Sequence, residues 1–334
     1  QVGASGAEGS LTYYGVSNRI KEASGLAIGS AGTGRLTIAD SQSSLYFPAG
    51  GSHYLGQSAG SFGALTVKGG YLSSTNGTLY VGGDGTGIFN LQGGTGVLSV
   101  LYLGNTAGSK GILTMSEPGA YMIAGLNMGN AVGADSEMYL SNGVFAARGE
   151  TKFCISGRTL MMLNGGSITQ DTGNTYLPHY AGTGVLVLAS AQSTFYLGGP
   201  LSVGQNVTGG RGEIYVTNGT LNVASLNLGN TASSLASMYL YNGTAVVRNT
   251  TGNALVLANG VNSTGTAVMA DQWARLNSMS TATLLGNNGD ATLVISNGIA
   301  NLKGISVANG VGSRGRVLVE DGQLISPTNG LTVG

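Results

Sequence analysis

The sequence predicts an all-β, single-stranded β-solenoid (a parallel β-helix) of about 13 coils of about 25 residues, with three short strands per coil. Three observations carry that expectation. A phrase of the form Leu-x-Val/Ile/Leu-Gly recurs along the chain at a spacing of about 25 residues. Between its copies lie triplets that alternate apolar and polar residues as a strand does. The chain is rich in glycine, 60 of 334 residues, with only 8% charged residues, against roughly 25% in an average soluble protein.

That composition also bounds what the chain is. With 42% apolar residues it can bury a core, which sets it apart from disordered chains of high charge and few apolar groups. Glycine without a three-residue period, and only 5 prolines, excludes collagen. The 14 basic and 14 acidic residues balance and are scattered singly, so no basic stripe is available for nucleic acid. There is no apolar run of eighteen residues to form a transmembrane segment. The single Cys154 makes neither a disulfide framework nor a metal cluster. The chain opens on Gln1 rather than Met, as either a mature secreted chain or a fragment of a longer solenoid would.

The first strand of each coil is the phrase itself. It stands at Leu26–Gly29, Leu79–Gly82, Leu101–Gly104, Leu126–Gly129, Leu201–Gly204, Leu226–Gly229 and Leu331–Gly334. Weaker copies end at Gly56 and Gly286, Ser156, Ala258 and Ala308 replace the glycine in others, and the copy near Tyr176–Pro178 is barely recognisable. A Gly-rich loop follows, then a second strand such as Leu36-Thr37-Ile38, Leu113-Thr114-Met115, Ile214-Tyr215-Val216 or Leu293-Val294-Ile295. The next turn is often Asn-Gly, as at Asn142-Gly143, Asn218-Gly219, Asn242-Gly243 and Asn297-Gly298, where glycine supplies positive φ and lets stacked corners approach. A third strand closes the coil, as at Leu45-Tyr46-Phe47 or Leu221-Asn222-Val223. In each strand the alternate apolar residues point inward and stack, coil on coil at about 4.8 Å, into aliphatic ladders. One coil cannot bury its apolar face alone, but neighbours bury it jointly.

The expected organisation is one continuous solenoid over residues 1–334. Residues 1–24 form a partial coil, which a neighbouring copy could also accept as a donated strand. Residues 150–200 are the most irregular. Units such as Leu79–Gly94 (LYVGGDGTGIFNLQGG) and Leu101–Met115 (LYLGNTAGSKGILTM) resemble autotransporter-associated β-strand repeats and related repeats of bacterial surface β-solenoid proteins. The resemblance runs from about Gly25 to Gly334 and is loosest between Glu150 and Pro200. It implies a solenoid in a secreted, cell-surface setting and no particular chemistry. The membrane barrel or sorting signal that such proteins often carry is not found in these residues.

No catalytic, metal or cofactor site is expected. The position two residues after each second strand reads Asp40, Gly69, Gly93, Glu117, Asn142, Asn218, Asn242, Asp271, Asn297, Asp321. That is a column of turn-forming residues with few acids. Asp40 and Glu117 fall three coils apart, roughly 14 Å at the stacking distance, beyond the roughly 5–9.5 Å of a glycosidase pair. His53 and His179 are read as lone surface histidines. Asp84 in its glycine run lacks the repeated carboxylates of a Ca²⁺-binding solenoid. Thr37, Thr66 and Thr114, interrupted by Asn90, make a broken column ill suited to ice binding. Asn-x-Ser/Thr sequons at Asn76, Asn206, Asn218, Asn242, Asn249 and Asn262 are read as corner chemistry.

The candidate contact surface is aromatic. Tyr80 and Tyr102 point outward from adjacent first strands, and Tyr139, Tyr215 and Tyr239 share an outward column of the second strands. Two readings stand side by side: stacking between coils, or a strip that packs against sugars or neighbouring fibres. The chain ends carry the functional expectation. Val2, Leu11 and Tyr13 read as the remainder of a coil, and Leu331 and Val333 as the start of another, with no capping helix at either end. Joined head-to-tail, copies would continue the ladders as an extracellular or cell-surface fibre, a contact that need not close into a ring. A structural fibre subunit whose partners are copies of itself is therefore the leading expectation. A glycan-binding adhesin stalk is the alternative, and a carbohydrate-active β-helix enzyme the least supported.

Overall fold

The computed structural model describes the chain apart from residues 15–18, 22–24, 48–49, 206–208 and 328–329, and apart from the side chains at 19–21 and 75. Every regular element among the described residues is a strand. Parallel strands recur at a spacing of about 25 residues and stack as a β-solenoid of about 12 turns. Among the described residues, no helix is long and apolar enough to cross a membrane.

The chain divides into two compact units, residues 1–161 with 166–169, and residues 162–165 with 170–334. The division at Met161–Met162 lies inside Arg158–Leu163, in the stretch where the repeat phrase is weakest.

In the first unit the second strands Glu8–Tyr13, Thr33–Ile38, Phe62–Val67, Thr86–Leu91, Lys110–Met115 and Asp135–Leu140 pair in that order, all parallel. Their register places Leu11, Leu36, Leu65, Phe89, Leu113 and Met138 in one column. All but Leu11, at the end of the row, are 2% exposed or less. The first strands add a second ladder of Ile28, Leu55, Val81, Leu103, Met128 and Phe153. The first turn is closed by the chain's own residues. Val2 bridges Ile28, Glu8–Tyr13 pairs with Thr33–Ile38, and Arg19–Lys21 pairs with Ser44–Tyr46.

The second unit repeats the plan. Its second strands run Thr183–Leu188, Arg211–Val216, Leu235–Leu240, Thr264–Met269, Asp290–Ile295 and Arg314–Val319. Its first-strand ladder is Val203, Leu228, Leu257, Leu285, Val307 and Val333.

Four details differ from the sequence expectation. Third and first strands were expected as separate elements joined by a turn. Among the described residues they are one long strand in five turns, as in Tyr71–Val81, Thr95–Leu103 and Ser193–Val203, and a register shift bends it, for example between Leu98 and Val100. A bulge bends a strand without ending it, so no turn residue marks this corner. Of the four Asn-Gly corners, only Gly143 has positive φ (82°). At Gly243 glycine serves close approach instead: a Cβ there would lie 2.3 Å from Val216 Cγ1.

The third correction concerns Ser156, expected at the corner-glycine position. Phe153 pairs with Met128, and Cys154 (φ 128°) is one extra residue. Ile155 N–H then donates to Met128 O, the bond that Gly129 N–H makes to Leu103 O one turn earlier. Ser156 therefore stands one place beyond the corner. Finally, both histidines are buried rather than on the surface, 1% exposed at His53 and 6% at His179. His53 sits opposite Leu79 in the inner ladder, where its phrase carries histidine in place of the leading leucine, and its ring stacks on Phe47 at 4.1 Å. His179 packs between Tyr176 and Tyr180.

Candidate functional site

Alternation sends Tyr80 and Tyr102 outward while Leu79, Val81, Leu101 and Leu103 fill the core at 1% exposure or less. The parallel register then sets tyrosine on tyrosine. Tyr80 stacks on Tyr102 with centroids 5.2 Å apart, and Tyr54, from the weak phrase ending at Gly56, extends the row at 5.0 Å. Tyr215 and Tyr239 stack likewise at 5.1 Å, 13° from parallel. Within each row the rings meet face to face. Such rows present edges and hydroxyls outward, and the rings are half-buried. Tyr139 takes the corresponding outward position in its strand, opposite Thr114.

Tyr139 and Tyr215 share a second feature that the sequence reading missed. Each hydroxyl donates to a glutamate two residues earlier, Tyr139 to Glu137 Oε2 at 3.1 Å and Tyr215 to Glu213 Oε2 at 2.8 Å. Each glutamate also meets a cation: Lys110 Nζ lies 2.7 Å from Glu137, and Arg211 donates through Nε and Nη2 to Glu213 Oε1 at 2.9 and 2.6 Å. Strand alternation places Glu and Tyr on one face at i and i+2. The pattern Glu-x-Tyr was therefore visible in the sequence at 137–139 and 213–215, but the cation of the first comes from the neighbouring turn.

The electrostatics follow from these contacts. Partial burial pushes the Tyr215 phenol up, and its bond to Glu213 adds to that, raising it to about 12. Tyr139 is raised for the same two reasons, burial first. For Glu213 burial alone would raise the carboxyl, but the bonds from Arg211 and Tyr215 outweigh it and hold the group below its ordinary value. Lys110 is raised by its bond to Glu137. Tyr80 is raised by burial and by its stacked neighbours Tyr54 and Tyr102. Beside the second cluster, Arg211, Glu213, Leu235, Ser237 and Thr264 line a shallow depression of about 180 Å³.

Other candidate residues are engaged within turns or with neighbouring turns and strands. Asp40 Oδ1 accepts from Gln42 N–H, Ser43 N–H and Ser43 Oγ at 2.8–3.0 Å, and Asp271 Oδ1 from Trp273 N–H at 2.9 Å. Asp84 Oδ1 accepts from Thr106 Oγ1 at 2.9 Å. Thr66, Asn90 and Thr114 are adjacent in register, and Thr114 Oγ1 donates to Asn90 Oδ1 at 2.6 Å. Among the described residues, no group of three or more His, Cys, Asp or Glu is placed to hold a metal ion. Asn76, Asn242, Asn249 and Asn262 are exposed, Asn218 is half-buried, and Asn206 lies outside the described residues.

The end residues are more open than the rest of their ladders. Leu11 is 46% exposed, Leu331 58% and Val333 70%, while Val2 and Tyr13 are half-buried. Comparison of the chain with protein-family models, curated proteins and solved structures returned no match.

Proposed function

We propose that the protein is a structural subunit of an extracellular fibre or cell-surface filament, extended by stacking the end turn of one copy on the first turn of the next. The observation that supports this reading is the correspondence of the two end rows. Glu8–Tyr13 and Arg314–Val319 occupy the same place in the repeat, so Gly9, Leu11 and Tyr13 are the counterparts of Gly315, Val317 and Val319. The apolar residues of both rows are only partly covered, with Leu11 46% and Val319 44% exposed. A parallel strand added at about 4.8 Å would satisfy the backbone groups of each edge. It would also remove apolar surface from water at roughly 25 cal/mol per Å². The resemblance of the repeats to those of bacterial surface proteins supports the setting.

The test is sedimentation and negative-stain microscopy over a wide concentration range, with Val317→Asp and Leu331→Asp as interface variants. Threads that lengthen with concentration and vanish in the variants are expected. A chain that stays monomeric at high concentration defeats the reading. So does an intact mass of the native protein that extends beyond Gly334, since the next turns would then be the chain's own.

A further inference from the structure

We infer that the depression beside Tyr215, on the outer face of the second unit, is a subsite for a neutral, polyhydroxylated polymer: a polysaccharide that runs across the sheet. The tyrosine rings are not its platform, because Tyr215 and Tyr239 turn their faces to each other. The binding surface is the neighbouring group of Arg211, Glu213, Leu235, Ser237 and Thr264.

Four observations lead there. First, Arg211 and Glu213 are paired, so the subsite holds one full positive and one full negative charge and no net field to select a polyanion or polycation. Second, the pair is not exhausted. Both Arg211 bonds go to Glu213 Oε1 and the tyrosine takes Oε2. Guanidinium has five N–H donors and a carboxylate about four acceptor positions, which leaves donors and acceptors side by side. Adjacent sugar hydroxyls, each donor and acceptor at once, match that pairing, and Ser237 and Thr264 add hydroxyls at the rim.

Third, Leu235 is 47% exposed next to these groups, an apolar surface on which the C–H face of a sugar ring can pack. Fourth, at about 180 Å³ the depression is smaller than the roughly 300–1,000 Å³ sites that enclose a whole small molecule. It fits one unit of a longer chain. A cluster of cation, glutamate and tyrosine also stands at Lys110, Glu137 and Tyr139 in the first unit, so the described residues hold two such clusters. Subsites of this kind bind weakly singly and gain strength when one polymer engages several.

Saturation-transfer NMR tests this on the intact chain with three neutral probes: a β-1,4-glucan hexamer, a β-1,4-linked N-acetylglucosamine hexamer and an α-mannan hexamer. Transfer to at least one is expected. Arg211→Ala and Leu235→Ser, both at exposed side chains, should each weaken it by about fivefold, the scale of one hydrogen bond or one apolar contact. Unchanged circular dichroism and melting would show that the fold is retained. Absence of transfer from all three probes overturns the proposal. So does transfer that both variants leave intact, or transfer that a polyanion such as dextran sulfate removes in full at low ionic strength.

Discussion

Gly111 has no room for one methyl group. A Cβ there would lie 2.2 Å from Val81 O and 2.3 Å from Gly104 N, and Gly63 is as tight against Ile28 O and Gly56 N. These glycines form an inward column, Gly34, Gly63, Gly87 and Gly111, where the second strand passes under the corner that feeds it. Gly111→Ala should therefore destabilise by about 1–3 kcal/mol or more, as overpacking does. Gly119→Ala, with open space around it and ordinary φ, should be within about 1 kcal/mol of neutral. Equal shifts in denaturant midpoint for the two would refute the packing account. A second prediction concerns Tyr215. Its folded pKa is raised to about 12, above the ordinary value near 10. The stability it contributes is thus complete below about pH 10 and is lost as pH rises through about 12. Ultraviolet titration should show a late phenolate step that Tyr215→Phe removes and Glu213→Gln moves earlier. A late step unaffected by Tyr215→Phe would sink the assignment. At this scale the inward and outward residues of strong phrases were legible from period two alone. His53 was not, because its phrase replaces the leading leucine and only the register with Leu79 reveals the inner position.

The corners show how far an element can be read before its neighbours are in place. The corner glycine was legible, and Gly29, Gly56, Gly82, Gly104, Gly129, Gly204, Gly229 and Gly286 all have positive φ. Ala258 and Ala308 adopt the same left-handed backbone at 56°. An L-residue there carries about 1–2 kcal/mol of strain. Ala258→Gly should relieve it, less about 0.4–1 kcal/mol for the freer unfolded chain, and so stabilise by up to about 1.5 kcal/mol. Gly286→Ala should do the reverse and more, since its Cβ would meet Arg314 O at 2.4 Å. If Ala258→Gly proves as damaging as Gly286→Ala in thermal melts, the corner model is wrong. The residue after the corner escaped the sequence reading. Asn130 Nδ2 donates to Asn105 Oδ1 in the first unit, and in the second Gln205, Asn230, Asn259, Asn287 and Asn309 are linked in series by side-chain amides. Gly-Asn reads as an ordinary turn in one copy. Only the stacking register, which places each amide on the next, makes it a ladder. Asn259→Ala breaks two links, Asn259 to Asn230 at 2.9 Å and Asn287 to Asn259 at 2.8 Å, and should cost about 1–3 kcal/mol.

Across the whole molecule, the repeat period was legible because the physics is one-dimensional: each turn contacts its neighbours through the same columns, so the same residue types return at the same interval. Function was less legible for the same reason. The Glu-x-Tyr clusters use residue types found in any strand, and the cation beside Glu137 comes from a turn 27 residues earlier. The one-dimensional design makes a further prediction. Leu103 is fully buried between Val81 and Met128 in the first-strand ladder. Leu103→Asp places a carboxylate there with no partner of opposite charge in the column, a change that costs several kcal/mol unless the group takes up a proton. In a globular core such damage spreads to the whole domain. Here it should fall on the turns that touch it. Native-state hydrogen exchange of the variant should show lost protection in Leu79–Val81 and Leu126–Met128, while Thr264–Met269 and Asp290–Ile295 in the second unit keep theirs. Tyr102→Ser, on the outer face of the same strand, removes only a stacked pair, at roughly 1 kcal/mol or less, and should leave the exchange pattern close to that of the parent. Uniform loss of protection along the chain in Leu103→Asp would mean that the turns unfold as one cooperative body, and nearest-neighbour stacking would no longer account for the fold.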